Sequence, residues 1–438
     1  VASCIRVGLI GFGTIGSGVV RLLQQQRQQI QTRLGARLEL VRIADIDTKR
    51  DRGVALAPGV LIADGGALVD DPQIDIVIEL MGGYGRARDF VLRAAGNGKS
   101  VVTANKALLA VHGAEIFAAV EAAGVDIGFE ASVGGGIPII RTLREALAAD
   151  RNRAVYGIVN GTANYILTRM ANEGGEFAAV LRAAQDAGLA EADPSFDVDG
   201  IDSAHKLALL IQLAFGGAVA VEELPVEGIR AISPLDMQMA REFGYAIKLL
   251  AIAKLDGRRI EARVHPTMVP RTHLLADVDG AFNAIAVDGE ALGESLYFGL
   301  GAGMMPTATA VVADVIDAAR NILAGRRGQL APLGYPIARQ RKLALKPMDE
   351  VVTEYYLRFL VVDRPNVLAK IAAVLGAHRI SISSLIQREC EAGSPVPIVM
   401  RTHRARERDL RAALVAIDRL PAVRAPAAYI RIENDPGQ

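Results

Sequence analysis

Apolar and polar positions follow two alternating periods over the first 130 residues. Residues 6–10, 38–44, 74–79, 100–103 and 125–130 read as strands. The 74–79 run is apolar at its centre, as expected of a strand covered on both faces. Residues 15–34, 87–95 and 106–123 carry the helical period. Strand–helix units of this length predict an α/β, doubly wound parallel sheet over 1–130.

The middle of the chain has a different rhythm. Helices are expected over 139–148, 164–170, 176–187, 201–215 and 307–323, and strands over 154–159 and within 254–286. An α+β unit is therefore expected over 131–305, with 306–325 packing back onto the first sheet. Residues 326–350 are basic, contain three prolines and show little periodicity, so a linker or extended arm is expected. From 351 to 434 the order is strand–helix–strand–strand–helix–strand, the split βαβ of a ferredoxin-like module.

Composition narrows the function classes. A chain of 438 residues suits two or three domains. Lys plus Arg equals Asp plus Glu at 49 each, so there is no global pull toward nucleic acid or an anionic membrane. The two cysteines, Cys4 and Cys390, do not make a disulfide framework and favour a reducing, cytoplasmic setting. The apolar stretch 207–221 contains Gln212 and is bounded by Lys206 and Glu222, so a buried helix end is expected rather than a membrane span. No basic head and long apolar run opens the sequence, and no secretory leader is expected.

The clearest local motif is Gly11-Phe12-Gly13-Thr14-Ile15-Gly16, between a strand and a helix. In that context Gly11 permits a tight turn, Gly13 admits a pyrophosphate against the backbone, and Gly16 lets helix and strand approach. The helix N-terminus then faces phosphate charge. Asp45 ends the second strand, where an acid grips a ribose 2′-hydroxyl and favours NAD. Lys49 and Arg50 follow and would suit a 2′-phosphate, so NADP stays open. Glu79 to Gly83 and Thr103, Asn105 and Lys106 lie at carboxyl ends of strands, where open sheets bind ligands.

The most distinctive polar cluster runs from Glu191 through Asp197 to Lys206. Asp202 and Lys206 are four apart and share a helix face. Ahead of the apolar run LALLIQLAF, such a pair suits the placing of a proton-transfer group. The same spacing suits a helix-stabilising pair. His205 points off that face and reads as structural. The loop Glu130 to Pro138 contains three successive glycines, and Asn160 to Tyr165 opens a helix for which Thr162 is the expected cap.

These strings together resemble homoserine dehydrogenase: GFGTIGSGV at 11–19, TANK at 103–106, EASVGGGIPI at 130–139, NGTANYIL at 160–167, EADPSFDVDGIDSAHKLALL at 191–210 and GLGAGMMPTATAVVAD at 299–314. The C-terminal module is similar to an ACT domain, through Val362 to Leu368 and His378 to Ile382. The resemblance implies a Rossmann-type domain, a substrate and dimerisation domain and a regulatory ACT module. It implies NAD(P)-dependent interconversion of L-homoserine and L-aspartate 4-semialdehyde, serving threonine, isoleucine and methionine biosynthesis. It further implies Lys106, Lys206 and Asp202 as catalytic residues, and Glu191, Asp197, Gly161 and Thr162 around the substrate. Gly11, Gly13, Thr14, Ile15, Gly16, Asp45, Thr103, Asn105, Lys106 and Gly303 are implied at the cofactor. A monovalent cation, usually sodium, is implied at Glu130, Val133, Gly135 and Ile137. L-Threonine is implied as an effector near Asp363, Asn366, Val367, Leu368 and Ile380, in a dimer or tetramer whose ACT sheets pair. Met304-Met305 departs from the smaller, often glycine-containing sequence expected there. The rival readings are a dehydrogenase for a related amino acid and a nucleotide- and amino-acid-binding regulator without turnover.

Overall fold

The computed structural model describes residues 3–388 and 395–434, so Cys390 lies outside the described residues. Six strands make the first sheet: β1 (Cys4–Ile10), β2 (Arg37–Ala44), β3 (Leu61–Ile62), β4 (Ile76–Glu79), β5 (Ser100–Thr103) and β6 (Ile127–Gly128). All are parallel, in the order β3-β2-β1-β4-β5-β6. Chain direction reverses its march between β1 and β4, which opens a crevice at their carboxyl ends. The helix Met304–Leu323 returns to cover one face, where Ala308, Val311 and Val315 join Val7, Leu9 and Ile78. Met304 fits because Gly18 has no side chain: a Cβ there would lie 2.7 Å from Met304 Cγ.

The helix expected over 15–34 is two, Thr14–Gln25 and Arg27–Leu34, broken at Gln26. The polar run leaves only Ile30 of the second piece buried, so little packing holds one straight rod. The helix expected over 139–148 is short, Ile139–Arg141, and widens into a π-turn over Thr142–Ala146.

A second sheet begins with β7 (Asn152–Ile158), β8 (Tyr245–Asp256), β9 (Arg259–Pro270), β10 (Phe282–Gly289) and β11 (Gly293–Leu300). Residues 245–253 are buried on nearly every position, so β8 shows no alternation in sequence and escaped the strand reading. The helix Pro234–Glu242 was also missed, although Ser233 and Asp236 form a reciprocal capping box before it. The C-terminal module adds β12 (Val352–Val361), β13 (Ile382–Gln387), β14 (Val396–Thr402) and β15 (Ala428–Ile432) in the order β15-β12-β14-β13. Its two helices, Val367–Ala377 and Glu407–Asp418, share a core with one sheet face.

The module is not a loose appendage. Strand β15 pairs in parallel with β9 at Thr267–Arg431 and Met268–Ile432, so one sheet runs through both units. The sheet face expected to stand open for a second copy is partly covered from within the chain. Tyr356 and Arg358 reach Asp236 at 2.9 and 2.7 Å, and Arg401 lies over Phe243 and Tyr245. Residues 326–350 form a packed arm. Arg341–Lys342 pairs with Gly217–Ala218, Ala344–Leu345 pairs with β9, and Leu333 and Leu343 are buried. Among the described residues no helix is long and apolar enough to cross a membrane.

Arg431 on β15 is a buried polar tie across the junction. Its guanidinium, buried to 2% exposure, meets Glu227 at 2.8 and 2.9 Å and Glu407 at 2.9 Å. Glu407 also accepts the Tyr355 hydroxyl at 2.9 Å. Burial pushes the Glu407 carboxyl up, and Arg431 more than offsets this, so it sits below the usual glutamate range. A depressed carboxylate stabilises the fold above its unfolded value and loses that effect as pH falls. Glu407→Gln is therefore expected to destabilise the protein by about 3 kcal/mol at pH 7. The gap from the parent should narrow below about pH 4.5. Urea midpoints at pH 7 and pH 4 check this, and an equal gap at both would contradict it.

Candidate active site

The helix Ile201–Phe215 is buried along almost its whole length, because nearly every position from Ala204 to Phe215 is apolar. Its first turn carries Asp202 and Lys206 into the same interior, with side chains 4% and 9% exposed. Charges at that depth need partners. Lys206 Nζ donates to Asp202 Oδ2 at 2.7 Å and to the Val159 carbonyl at 2.6 Å. Lys106 opens the helix Lys106–Ala123 after β5 and brings its Nζ to 2.8 Å from Asp202 Oδ1. One carboxylate thus binds two lysines from two different domains.

Burial alone would raise the Asp202 carboxyl; Lys206 and Lys106 overcome it and hold the group well below the usual carboxylate range. Burial lowers Lys206, and Asp202 opposes that shift. Lys106 is the more open ammonium, at 34% side-chain exposure, and lies 5.9 Å from the centre of the Phe196 ring. Phe196 meets His205 edge-on, and burial lowers the His205 pKa.

These groups border a cavity of about 550 Å³ between the first sheet and the middle domain. Asp197, Gly161 and Thr162 line it with Asp202, Lys106 and Lys206, and Ile15 and Gly303 close its other side. Thr162 does not cap its helix. Asn160 does, through Oδ1 and the Ala163 amide, while the Thr162 hydroxyl donates to the Leu189 carbonyl. Asn160 Nδ2 also donates to Asp197 Oδ1 and Asp202 Oδ2. Sequence reasoning named the loop but not this residue; its only signal was an Asn directly after a strand. Glu191 is not brought to the cavity: its side chain is exposed and its carbonyl accepts from Gln185.

A second cavity of about 310 Å³ lies over Gly11, Gly13, Asp45, Ile46 and Phe90. Gly11 has φ +94, and a Cβ on it would lie 2.6 Å from the Leu80 backbone. A Cβ on Gly16 would lie 2.2 Å from the Gly11 carbonyl oxygen. At Gly13 a Cβ would meet nothing within 4 Å, and the residue stands at the N-terminus of the helix beginning at Thr14. The open cradle and free amides fit a dinucleotide pyrophosphate. Asp45 accepts the Phe12 amide at 2.6 Å and the Asp47 amide at 2.8 Å, and pairs with Arg52 at 3.2 Å. Arg52, four residues beyond Thr48, was not singled out in sequence; its guanidinium lies over the Phe12 ring and its side chain is 7% exposed. Lys49 and Arg50 are exposed. Thr103 donates to Glu79 at 2.7 Å, and Asn105 caps its helix and donates to the Gly83 carbonyl, so both brace the strand ends.

In the 130–137 loop, Glu130 turns its carboxylate to the Ile140 and Arg141 amides. Gly134 and Gly135 have positive φ, and the Gly134 carbonyl accepts from Ile137. Any cation there would rest on the loop's carbonyl oxygens, for among the described residues no group of three or more His, Cys, Asp or Glu is placed to hold a metal. In the C-terminal module, Asp363 and Asn366 are exposed ahead of the helix Val367–Ala377 and Leu368 is exposed at its start, with Asn366 at φ 70, whereas Val367 and Ile380 are buried in the module's core.

Comparison with known proteins follows the same divisions. A profile for homoserine dehydrogenase matches residues 138–316, one for the homoserine dehydrogenase NAD binding domain matches 11–130, and one for the ACT domain matches 355–422. A homoserine dehydrogenase from Neisseria gonorrhoeae is 42% identical over 430 residues, covering 98% of this chain and 99% of its own. The chain belongs to the homoserine dehydrogenase family. A solved homoserine dehydrogenase from Thiobacillus denitrificans superposes with a TM-score of 0.92 at 45% identity, covering 99% of this chain and 100% of its own. A hyperthermophilic archaeal homoserine dehydrogenase in complex with NADPH matches 72% of this chain and 97% of its own, with a TM-score of 0.61 and 26% identity. The protein is thus an NAD(P)-dependent oxidoreductase of amino-acid biosynthesis that carries an ACT domain.

Gly13→Ala tests the cradle. Its φ of −76 suits alanine, so the thermal midpoint should stay within about 2 °C of the parent while the added methyl weakens NAD(P) binding at least about tenfold. Calorimetric titration with the cofactor measures it. Unchanged affinity would place the pyrophosphate elsewhere.

Proposed function

We propose that the cavity between the domains binds L-homoserine and L-aspartate 4-semialdehyde with the reacting oxygen at Lys106. The observation that carries this reading is the Lys106–Asp202–Lys206 arrangement beside the cofactor crevice. When bound, the nicotinamide accepts or returns the hydride. In reduction Lys106, the open ammonium, donates to the aldehyde oxygen and gives it a proton as the alkoxide forms; in oxidation the neutral amine takes that proton back from the alcohol. Lys206 is tied to Val159 and Asp202 and keeps the Asp202 carboxylate aimed at Lys106. Asp197 faces the cavity as a partner for the substrate's ammonium; the resemblance adds Glu191 to this role, and its side chain stands exposed outside the cavity. Gly161 and Thr162 border the remainder of the substrate.

For the cofactor, Gly11, Gly13, Thr14, Ile15 and Gly16 form the phosphate turn; Thr103, fully buried, and Asn105 serve by bracing the strand ends, and Gly303 borders the substrate cavity. Asp45 lines the cavity and suits a ribose 2′-hydroxyl, which supports NAD; Lys49 and Arg50 are exposed nearby for a 2′-phosphate. A monovalent cation, sodium by resemblance, would rest on backbone oxygens of Glu130, Val133, Gly135 and Ile137. Its part is to hold the loop against the Gly301–Gly303 strip, with which Gly135 is in close contact.

The regulatory reading is L-threonine at Asp363, Asn366 and Leu368, over Val367 and Ile380. A path to the site supports it. Arg431 grips Glu227; the next residue, Gly228, abuts Val198 and Asp199, and the Ile229 amide donates to the Val198 carbonyl. A homo-oligomer, dimer or tetramer, is supported by edge strand β11, where Phe298 and Leu300 are about half exposed (56% and 47%). A cytoplasmic setting is supported by the low cysteine content.

Initial rates with L-homoserine, with NAD and with NADP, with and without L-threonine, test these points together. Homoserine-dependent reduction, faster with NAD, and loss of rate with threonine are expected. Lys206→Met should lower kcat at least about 100-fold. No homoserine-dependent rate in folded protein would contradict the substrate reading, and a threonine-insensitive rate would contradict the effector reading.

A further inference from the structure

We infer that Asn160 is a positioning residue of the reaction, whose amide ties Asp202 and Asp197 into one unit. The inference rests on the proposed roles of those two acids and adds the group that holds them. Asn160 is 5% exposed and every polar function of its side chain is engaged. One amide hydrogen goes to Asp197 Oδ1 at 2.7 Å and the other to Asp202 Oδ2 at 2.8 Å, while Oδ1 takes the Ala163 amide at 2.8 Å.

Two carboxylates that border one cavity repel each other. A neutral amide with two donors joins them without adding charge. A second ammonium in its place would compete with Lys106 and Lys206 for the same oxygens. With Asn160 and Lys206 both on Oδ2, Asp202 keeps Oδ1 for Lys106. The amide is itself fixed. It stands directly after Val159, whose carbonyl holds Lys206, and at the head of a helix anchored by Asn164 to the carbonyls of Val278 and Gly280. Gly161 is pressed against Ala281, where a Cβ would lie 2.8 Å from the carbonyl oxygen. The strand end therefore places Lys206 and Asp202 through adjacent residues.

The rival role is that of a helix cap alone. Aspartate and serine cap helices about as well as asparagine. Asn160→Asp therefore keeps the cap and replaces the bridging donor with a third carboxylate. Asn160→Ser keeps a cap and is too short to bridge. The charged and titratable groups around the amide are Asp197, Asp202, Lys206 and, through Asp202, Lys106.

Steady-state kinetics with L-homoserine, cofactor titration and thermal midpoints are measured for both variants beside the parent. The expected result is a near-parental midpoint and cofactor Kd for both. For Asn160→Ser, which loses two hydrogen bonds to carboxylates, kcat falls and KM for homoserine rises, by at least about 10- to 100-fold in kcat/KM, the range for one such bond. Asn160→Asp loses more at pH 8 and recovers relative to the parent toward pH 6, because a carboxyl crowded by two others takes up a proton and can donate again. Both variants with parental kcat and KM, whatever their midpoints, would overturn the inference and leave Asn160 a cap. Should Asn160→Asp fail to fold, Asn160→Ser decides alone by the same kinetic criterion. An inactive parent would instead overturn the substrate reading, which keeps the two failures distinct.

Discussion

A buried carboxylate held by two lysines governs the arrangement of this protein. Asp202 is 3% exposed, and an isolated charge at that depth would take up a proton rather than stay ionised. Lys206 comes from its own helix and Lys106 from the nucleotide domain, so satisfying Asp202 requires both domains in register. On the proposed function, the domain contact and the chemistry are the same contact. That explains why the cavity opens where the first sheet ends and why the ammonium with access to it is Lys106.

The rest of the fold supplies rigidity to that contact. The helix of Asp202 is embedded in a core that runs continuously from the nucleotide sheet into the middle domain. The returning helix Met304–Leu323 clamps the nucleotide sheet on its other face, with Gly303 at its start beside the cavity. At the far side, the shared sheet and Arg431 join the ACT module to the segment that abuts Val198 and Asp199. A chain of packed contacts thus runs from the module to the segment before Asp202, which is the route the proposed regulation would use.

Much of this was legible in sequence because it depends on local pattern. The nucleotide domain shows strands of short apolar runs and helices with clear faces, and its glycines sit where only glycine fits: Gly11 at φ +94 and Gly16 against a carbonyl. The Asp202–Lys206 pair was legible from its spacing and the apolar run behind it. What escaped was set by long-range contact. Strand β8 is buried on both faces and has no alternation to read. The join between β9 and β15 links residues 267–268 to 431–432. The bridge of Asn160 spans 37 residues to Asp197 and 42 to Asp202, and the tie of Arg52 to Asp45 depends on how one loop folds back over Phe12. The segment 326–350 read as a linker or extended arm because its packing comes from partners elsewhere, not from a period of its own.

The most direct test of the account is Asp202→Asn, which keeps the shape of the side chain and removes its charge. We expect a folded protein with near-parental cofactor affinity and a kcat for L-homoserine oxidation lowered at least about 100-fold, because the two lysines lose the anion that orders them. A variant that turns over within about threefold of the parent would contradict the claim that this carboxylate organises the site.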